Sequence, residues 1–316
     1  MEQIEVSICC TTYNQEKYIA QALDSFLMQK TDFSYEIIIH DDASTDGTLE
    51  IIRQYEKRYS NIVVIAQHEN QYSKKKDILV EFIYPKVRGK YIAICEGDDY
   101  WISDQKLQKQ YDFMEKNNDC SICIHGSQKT KDGEICQIVR PFKYNTKVPT
   151  ETLIVSGGGF CMTNSFFLRT SKIKDYLSFY DKCNMIDVGI SDIVWLLGFS
   201  LLGNVYYIDE CLSAYRVCSE NSWSSKIAKL SPQKRAKGYL RSVKFMDDVN
   251  IFTNRKYESA IRYRIKNLEF FAYLVVGNYK EMKNERYREF YNALSFKQKA
   301  KTMVKYILKY GSRKEN

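Results

Sequence analysis

Three clusters of oxygen-bearing side chains carry the chemistry within the first hundred residues: Thr11-Thr-Tyr-Asn14, Asp41-Asp-Ala-Ser-Thr-Asp46 and Glu96-Gly-Asp-Asp99. Carboxylates dominate them. No glycine-rich phosphate cradle accompanies them, because the chain contains neither G-x-G-x-x-G nor G-x-x-x-x-G-K-S/T. A site rich in acids repels a bare phosphate unless a divalent cation stands between the two. Hard oxygen ligands select Mg²⁺ or Mn²⁺, which commonly bridge a few carboxylates to substrate phosphates. The charges alone therefore suggest a nucleoside diphosphate bound through a metal ion.

Such clusters need rigid elements to hold them. Val6–Thr11 reads as a strand, Glu16–Gln29 as a helix on its apolar repeat, and Tyr35–His40 as a short apolar strand of the buried parallel kind. Capping side chains in the Asp41–Thr48 turn start a helix over Leu49–Arg58. Ile62–Ala66 reads as a third strand, Lys76–Val87 as mostly helix, Tyr91–Cys95 as a fourth strand and Asp104–Asn117 as a helix. This alternation predicts an α/β fold of βαβ units with a parallel sheet. Each polar cluster falls at the carboxyl end of a strand, where open α/β sheets bind ligands.

The motifs resemble those of a known family. Ser7-Ile-Cys-Cys-Thr-Thr-Tyr-Asn14, His40-Asp-Asp-Ala-Ser-Thr-Asp-Gly-Thr48 and Tyr91-Ile-Ala-Ile-Cys-Glu-Gly-Asp-Asp-Tyr-Trp101 are similar to three landmarks of family 2 glycosyltransferases. Ser191-Asp-Ile-Val-Trp-Leu196 and Val205-Tyr-Tyr-Ile-Asp-Glu-Cys-Leu-Ser-Ala-Tyr-Arg216 resemble that family's acceptor-side segment. The resemblance implies a type A glycosyltransferase fold, a Rossmann-like sheet with helices on both faces. Its catalytic domain would span residues 1–225, with a nucleotide-binding half over about 1–118 and an acceptor half over about 119–225. A basic helical region, 226–316, follows and matches no landmark.

The resemblance also implies a metal-dependent, inverting, non-processive transfer. A sugar would move from a nucleotide-diphosphate sugar, expected to be a UDP-sugar, to a hydroxyl of a glycan or lipid-linked acceptor, as in bacterial surface polysaccharide assembly. Thr11 and Tyr13 would line the base pocket, and Asp42 would accept from the nucleobase. Glu96-Gly97-Asp98 stands where the family writes D-x-D, so Asp98 would hold Mn²⁺ or Mg²⁺ with Glu96 beside the ribose or metal. Asp192 would be the general base, with Asp187 as its rival. Many relatives carry a histidine where this chain has Cys218, a poor partner for a hard cation; either the metal lacks that partner here, or a nearby group such as Ser222 or Trp223 covers the diphosphate. Two alternatives stay open, a catalytically inactive nucleotide-sugar-binding protein and a nucleotidyltransferase.

The neighbouring residues have plainer readings. Asp99 reads as a structural neighbour, Asp41 as an Asx turn, Asp46 as helix-start chemistry and Trp101 as a wall of the sugar pocket. Gly157-Gly-Gly159 reads equally as an acceptor loop or a turn. His40, His68 and His125 are too scattered to form a nitrogen metal site. Five of the ten cysteines, Cys9, Cys10, Cys95, Cys161 and Cys211, lie in apolar runs, and Cys120-Ser-Ile-Cys123 lacks the second pair of a zinc ribbon, which points to reduced core thiols.

Charge divides the chain. The net +8 combines 23 Lys+Arg against 8 Asp+Glu over residues 226–316 with 24 against 31 before them. Over Lys297–Lys309, Ala300, Met303, Val304, Ile307 and Leu308 share one helical side among five lysines. Such a helix can lie on an anionic membrane or pair with a second copy, and both partners stay open. Nucleic acid is not expected, since no binding motif accompanies the charge. No apolar run reaches bilayer length, and the amino terminus lacks the basic start of a signal peptide. The expectation is a cytoplasmic protein with a docking place at the inner membrane face.

Overall fold

The structure, a computed structural model, describes residues 3–183, 192–217, 225, 227 and 229–310, with the backbone alone for Asp192, Lys305 and 307–310. Asp187, Cys218, Ser222 and Trp223 lie outside the described residues. In the first part, β1 (Ile4–Thr12), α1 (Ile19–Leu27), β2 (Ser34–Asp41), α2 (Thr48–Arg58), β3 (Ile62–Ala66), β4 (Tyr91–Ile94), β5 (Tyr100–Trp101) and α3 (Lys106–Lys116) follow one another. Then come β6 (Cys120–Lys131), β7 (Glu134–Val139), β8 (Thr146–Val148), α4 (Thr150–Ser156), β9 (Phe167–Arg169), α5 (Ile173–Lys182), α6 (Asp192–Leu202) and β10 (Asn204–Arg216). Helices α7 (Pro232–Phe252), α8 (Glu258–Val276), α9 (Tyr279–Met282), α10 (Arg288–Ala293) and α11 (Phe296–Tyr310) complete the chain.

The strands form one sheet in the order β3-β2-β1-β4-β9-β6-β10-β5, with β7 on β6 and β8 on β10. β3, β2, β1 and β4 are parallel, whereas β9 runs antiparallel between β4 and β6. Strand order reverses beside β1, because β2 lies on one side and β4 on the other. The crevice outside the carboxyl ends there is the binding place such a topology creates. Register aligns the ends, pairing Cys9 with Ile94, Thr11 with His40 and Thr12 with Asp41.

Alternation along β1 explains why this sheet is buried on both faces. Val6, Ile8 and Cys10 join Ile37, Ile39, Ala93 and the inner sides of α1 and α3 in one apolar cluster. Cys9 points the other way, into a larger cluster with Ile38, Ile92 and Ile94 that extends through α6 to Phe245, Val249, Ile261 and Leu268 of α7 and α8. Lys76–Val87 departs from the helix expected there: the chain makes a π-helical turn over Leu79–Ile83 and a 3₁₀ turn over Tyr84–Lys86. Pro85 lacks the N–H that a continuing α-helix needs and clashes with the preceding turn, so the segment ends in a 3₁₀ turn. No described helix is long and apolar enough to cross a membrane.

Candidate active site

The carboxyl ends of β1, β2 and β4 are tied together by backbone hydrogen bonds. Gly97 N–H donates to the Thr11 carbonyl (2.9 Å), Asp42 N–H to the Thr12 carbonyl (3.0 Å) and Cys95 N–H to the Cys9 carbonyl (3.1 Å). Side chains then lock the two following loops. Asn14 N–H donates to Ser44 Oγ (2.9 Å), Thr45 N–H to Asn14 Oδ1 (2.7 Å) and Gln15 N–H to Thr48 Oγ1 (2.8 Å). Asn14 and Ala43 hold positive φ here, 53° and 61°, a conformation that persists in non-glycine residues where surrounding contacts over-determine it.

Glu96, Gly97 and Asp98 form the turn after β4. A Cβ on Gly97 would stand 2.6 Å from Gln15 Oε1 and 3.0 Å from Ile19 Cδ1, so with glycine the acid turn lies against the loop after β1 without displacing either side chain. Asp98 is 8% exposed and Glu96 half-buried. Asp99, fully buried, accepts from Asn164 Nδ2 (3.0 Å) and from the Arg216 backbone N–H (2.8 Å). Burial, then the charges of Asp98 and Glu96, push its carboxyl well above the usual range against the opposing pull of Arg216. The same acids add to burial in raising the Cys10 thiol. Asp99 is thus a wall-tying group, as its neighbour reading holds.

The other predicted residues divide between cleft and scaffold. Thr11 and Tyr13 are half-buried at the end of β1. Asp42 is 4% exposed, and its carboxylate accepts from Gln71 N–H (2.7 Å) and Tyr72 N–H (3.1 Å), which anchors the 70–75 loop. Each oxygen retains a second lone pair. Asp41 accepts from Ser44 N–H and Oγ, and Asp46 from Thr48 N–H and Oγ1, which are the local turns expected of them. Asp192 is the first residue of α6.

Trp101 corrects the sugar-wall reading. It is 1% exposed, packs 4.8 Å from the Phe26 ring and donates Nε1–H to the Asn164 carbonyl (3.2 Å), so it belongs to the core beneath the acid turn. Gly157 ends α4 at φ 69°, and Gly159 follows at φ 85°, a helix-terminating turn. The thiols of Cys120 and Cys123 are free, buried and shifted upward by burial. His40 and His125 are fully buried.

Further residues shape the surroundings of the acid turn. Buried Thr12 Oγ1 and Gln15 Oε1, beside Gly97, have no hydrogen-bond partner among the described residues. Asn164 spends its whole amide on Asp99, the Ala214 carbonyl (3.0 Å) and Ser213 Oγ (2.7 Å). Arg216 lies over the rings of Tyr100 (4.6 Å) and Tyr18 (5.0 Å) and donates to the Asp98 carbonyl and Gln21. A basic depression lined by Arg88, Lys90 and Arg169 lies at the opposite end of the sheet, with Arg88 paired to Glu36 and Lys90 to Glu115. It is remote from the acid turn.

No group of three His, Cys, Asp or Glu side chains among the described residues makes a metal cage. The donor chemistry nevertheless suits a hard cation. Mg²⁺-type ions are usually held by one or two carboxylates plus substrate phosphates, and Glu96 and Asp98 place two carboxylates in the turn after β4.

A parallel nucleotide-binding half joined through an antiparallel strand to a second half defines the type A glycosyltransferase fold. Staphylococcus aureus TarS 1-349 in complex with UDP matches 98% of this chain and 82% of its own at a TM-score of 0.58 and 16% identity. The mannosyltransferase PcManGT from Pyrobaculum calidifontis, in complex with GDP-Man and Mn²⁺, matches 98% and 86% at 0.54 and 14% identity. The family described as glycosyl transferase family 2 matches residues 7–175, more than half of the chain, and the protein belongs to that family. Among its relatives, uncharacterised Rv1520 of Mycobacterium tuberculosis is 31% identical over 226 residues, 70% of this chain and 61% of its own length. The poly(ribitol-phosphate) beta-glucosyltransferase of Bacillus spizizenii is 37% identical over 120 residues, 36% of this chain and 18% of that protein.

Proposed function

We propose that the protein transfers a sugar from a nucleoside-diphosphate sugar, a UDP-sugar, to a hydroxyl of a surface glycan or lipid-linked acceptor, with inversion and without processivity. The observation that carries this reading is the Glu96-Gly97-Asp98 turn pressed against the end of β1 in a family 2 domain. In this reading Thr11 and Tyr13 line the base, and Asp42 uses a remaining lone pair for the nucleobase while holding the 70–75 loop. Glu96 faces the ribose side. Asp98 holds Mn²⁺ or Mg²⁺. The bound cation would supply Lewis acidity to the departing diphosphate, on the order of several kcal/mol. The name of PcManGT's complex, with Mn²⁺ and a nucleotide sugar, supports the donor class, and the glucosyltransferase relative supports a polymer acceptor.

Asp192 acts as base. Its carboxylate takes the proton of the acceptor hydroxyl as that oxygen bonds to the anomeric carbon, and the bond to the diphosphate breaks on the opposite face. Its position at the head of α6 supports this role, because the helix amino end favours a carboxylate. The test is release of free nucleotide from a panel of UDP- and GDP-sugars with Mn²⁺ or Mg²⁺. Asp98→Asn should abolish turnover, and unchanged turnover would refute its role. Asp192→Asn should keep donor binding and lose about 10²-fold or more in transfer; loss of donor binding instead would refute the assignment as base.

A further inference from the structure

The terminal helix α11 wears its amphipathicity outward. Phe296 is 86% exposed, Met303 43% and Val304 52%, and their spacing of seven and eight residues stacks them along one side. The side toward the protein is polar by comparison. Thr302 is 4% exposed, Tyr306 packs against Tyr279 at 6.2 Å between ring centroids, and Lys299 lies over the Tyr291 ring while donating to the Asn292 carbonyl (3.2 Å). A helix that merely completed the fold would turn its apolar stripe inward. This one shows it to solvent.

Charge selects the occupant of that face. Lys297 and Lys301 are exposed beside the stripe, no acid occurs from Phe296 to Tyr310, and residues 226–316 carry 23 basic against 8 acidic side chains. Two copies joined through this face would bring their lysine rows together, a like-charge contact that opposes pairing. An anionic bilayer meets both requirements, since acyl chains accept Phe296, Met303 and Val304 while headgroups neutralise the lysines. We propose that α11 docks the enzyme on an anionic lipid surface, with its apolar side at the boundary between headgroups and acyl chains.

Flotation of the full chain with phosphatidylglycerol-containing vesicles, with pure phosphatidylcholine vesicles as comparison, tests this. The protein should float with the anionic vesicles at low salt and be released as salt rises. The variant F296S/M303S/V304S should stay in the soluble fraction with unchanged circular dichroism. The variant K297E/K301E should lose about tenfold or more in vesicle partitioning. Wild-type protein left in solution with anionic vesicles would overturn the proposal, and so would equal binding to neutral vesicles. A concentration-dependent dimer abolished by the serine variant, without flotation, would also overturn it by assigning the face to a second copy.

Discussion

Lys106 is an uncommon residue for the centre of a domain. It is fully buried on α3, with Nζ 2.7 Å from Gln110 Oε1 and 4.1 Å from the centroid of the Trp101 ring, beneath the acid turn. Burial pushes its pKa from 10.5 down to about 7. The sign follows from linkage. Between these values the unfolded chain binds a proton that the folded chain does not, so stability rises with pH from about 7 toward 10.5, by up to about 1.4 kcal/mol per unit. Above 10.5 both states are neutral and the penalty vanishes. Lys106→Met should therefore raise the unfolding free energy at pH 7 and flatten its rise to pH 9, measured by urea melts of both proteins; parallel slopes would show that the ammonium is solvated. The sequence concealed this residue because a lysine in an amphipathic helix ordinarily extends its head to water. The turns that carry the acids were legible, since each polar cluster ends an apolar run. Which acids only tie the turns together, as Asp41, Asp46 and Asp99 do, was decided by partners distant from the motif or by local turn geometry. Trp101 was misread because adjacency in sequence does not tell which face of a two-residue strand is covered.

At the scale of elements, α4 and α8 meet where the Arg264 guanidinium lies against Gly157. Gly157 caps α4 at φ 69°, and a Cβ there would stand 2.1 Å from Arg264 Nη2. Gly159 shares the positive φ of 85°, yet nothing lies within 4 Å of its Cβ position. Gly159→Ala should cost only the backbone strain, about 1–2 kcal/mol, whereas Gly157→Ala should cost more by displacing Arg264 from its largely buried seat. Denaturant midpoints decide, and equal losses would mean that Arg264 moves aside freely. The strands β1 to β4 were readable because parallel strands covered on both faces are continuous apolar runs ending in polar turns. The insertion of β9 between β4 and β6 was not. Phe167–Arg169 is three residues long, and its partners Tyr91–Ala93 and Ile122–Cys123 lie far away in sequence, so no local period marks the pairing. The turns over 79–86 were read as helix because apolar spacing there is helical, while Pro85 interrupts the hydrogen-bond ladder.

For the whole molecule, the decisive feature is that the larger apolar cluster does not stop where the basic region begins. It runs from Cys9 and Ile92 through Trp195 to Phe245, Met246, Val249, Ile261, Ile265 and Leu268. These six side chains of α7 and α8 are buried in that shared cluster, and at about 1.5–3 kcal/mol each their burial contributes about 9–18 kcal/mol, part of it from packing of the two helices on each other. That is comparable with the whole stability of a typical domain, about 5–15 kcal/mol. A chain ending at residue 225 should therefore fail to fold, and be recovered as aggregate or without cooperative thermal unfolding. The terminal helix differs, because its described contacts are with Tyr279, Tyr291 and Asn292, beside a small separate cluster of Phe270, Met282, Tyr287 and Phe290. A chain ending at residue 295 should keep a single cooperative transition and nucleotide-sugar turnover while losing flotation with anionic vesicles. Soluble, cooperatively folded protein from the 225-residue truncation would show that the helices merely rest on the catalytic part. Lost turnover in the 295-residue truncation, with its melting transition intact, would mean that α11 serves the reaction itself.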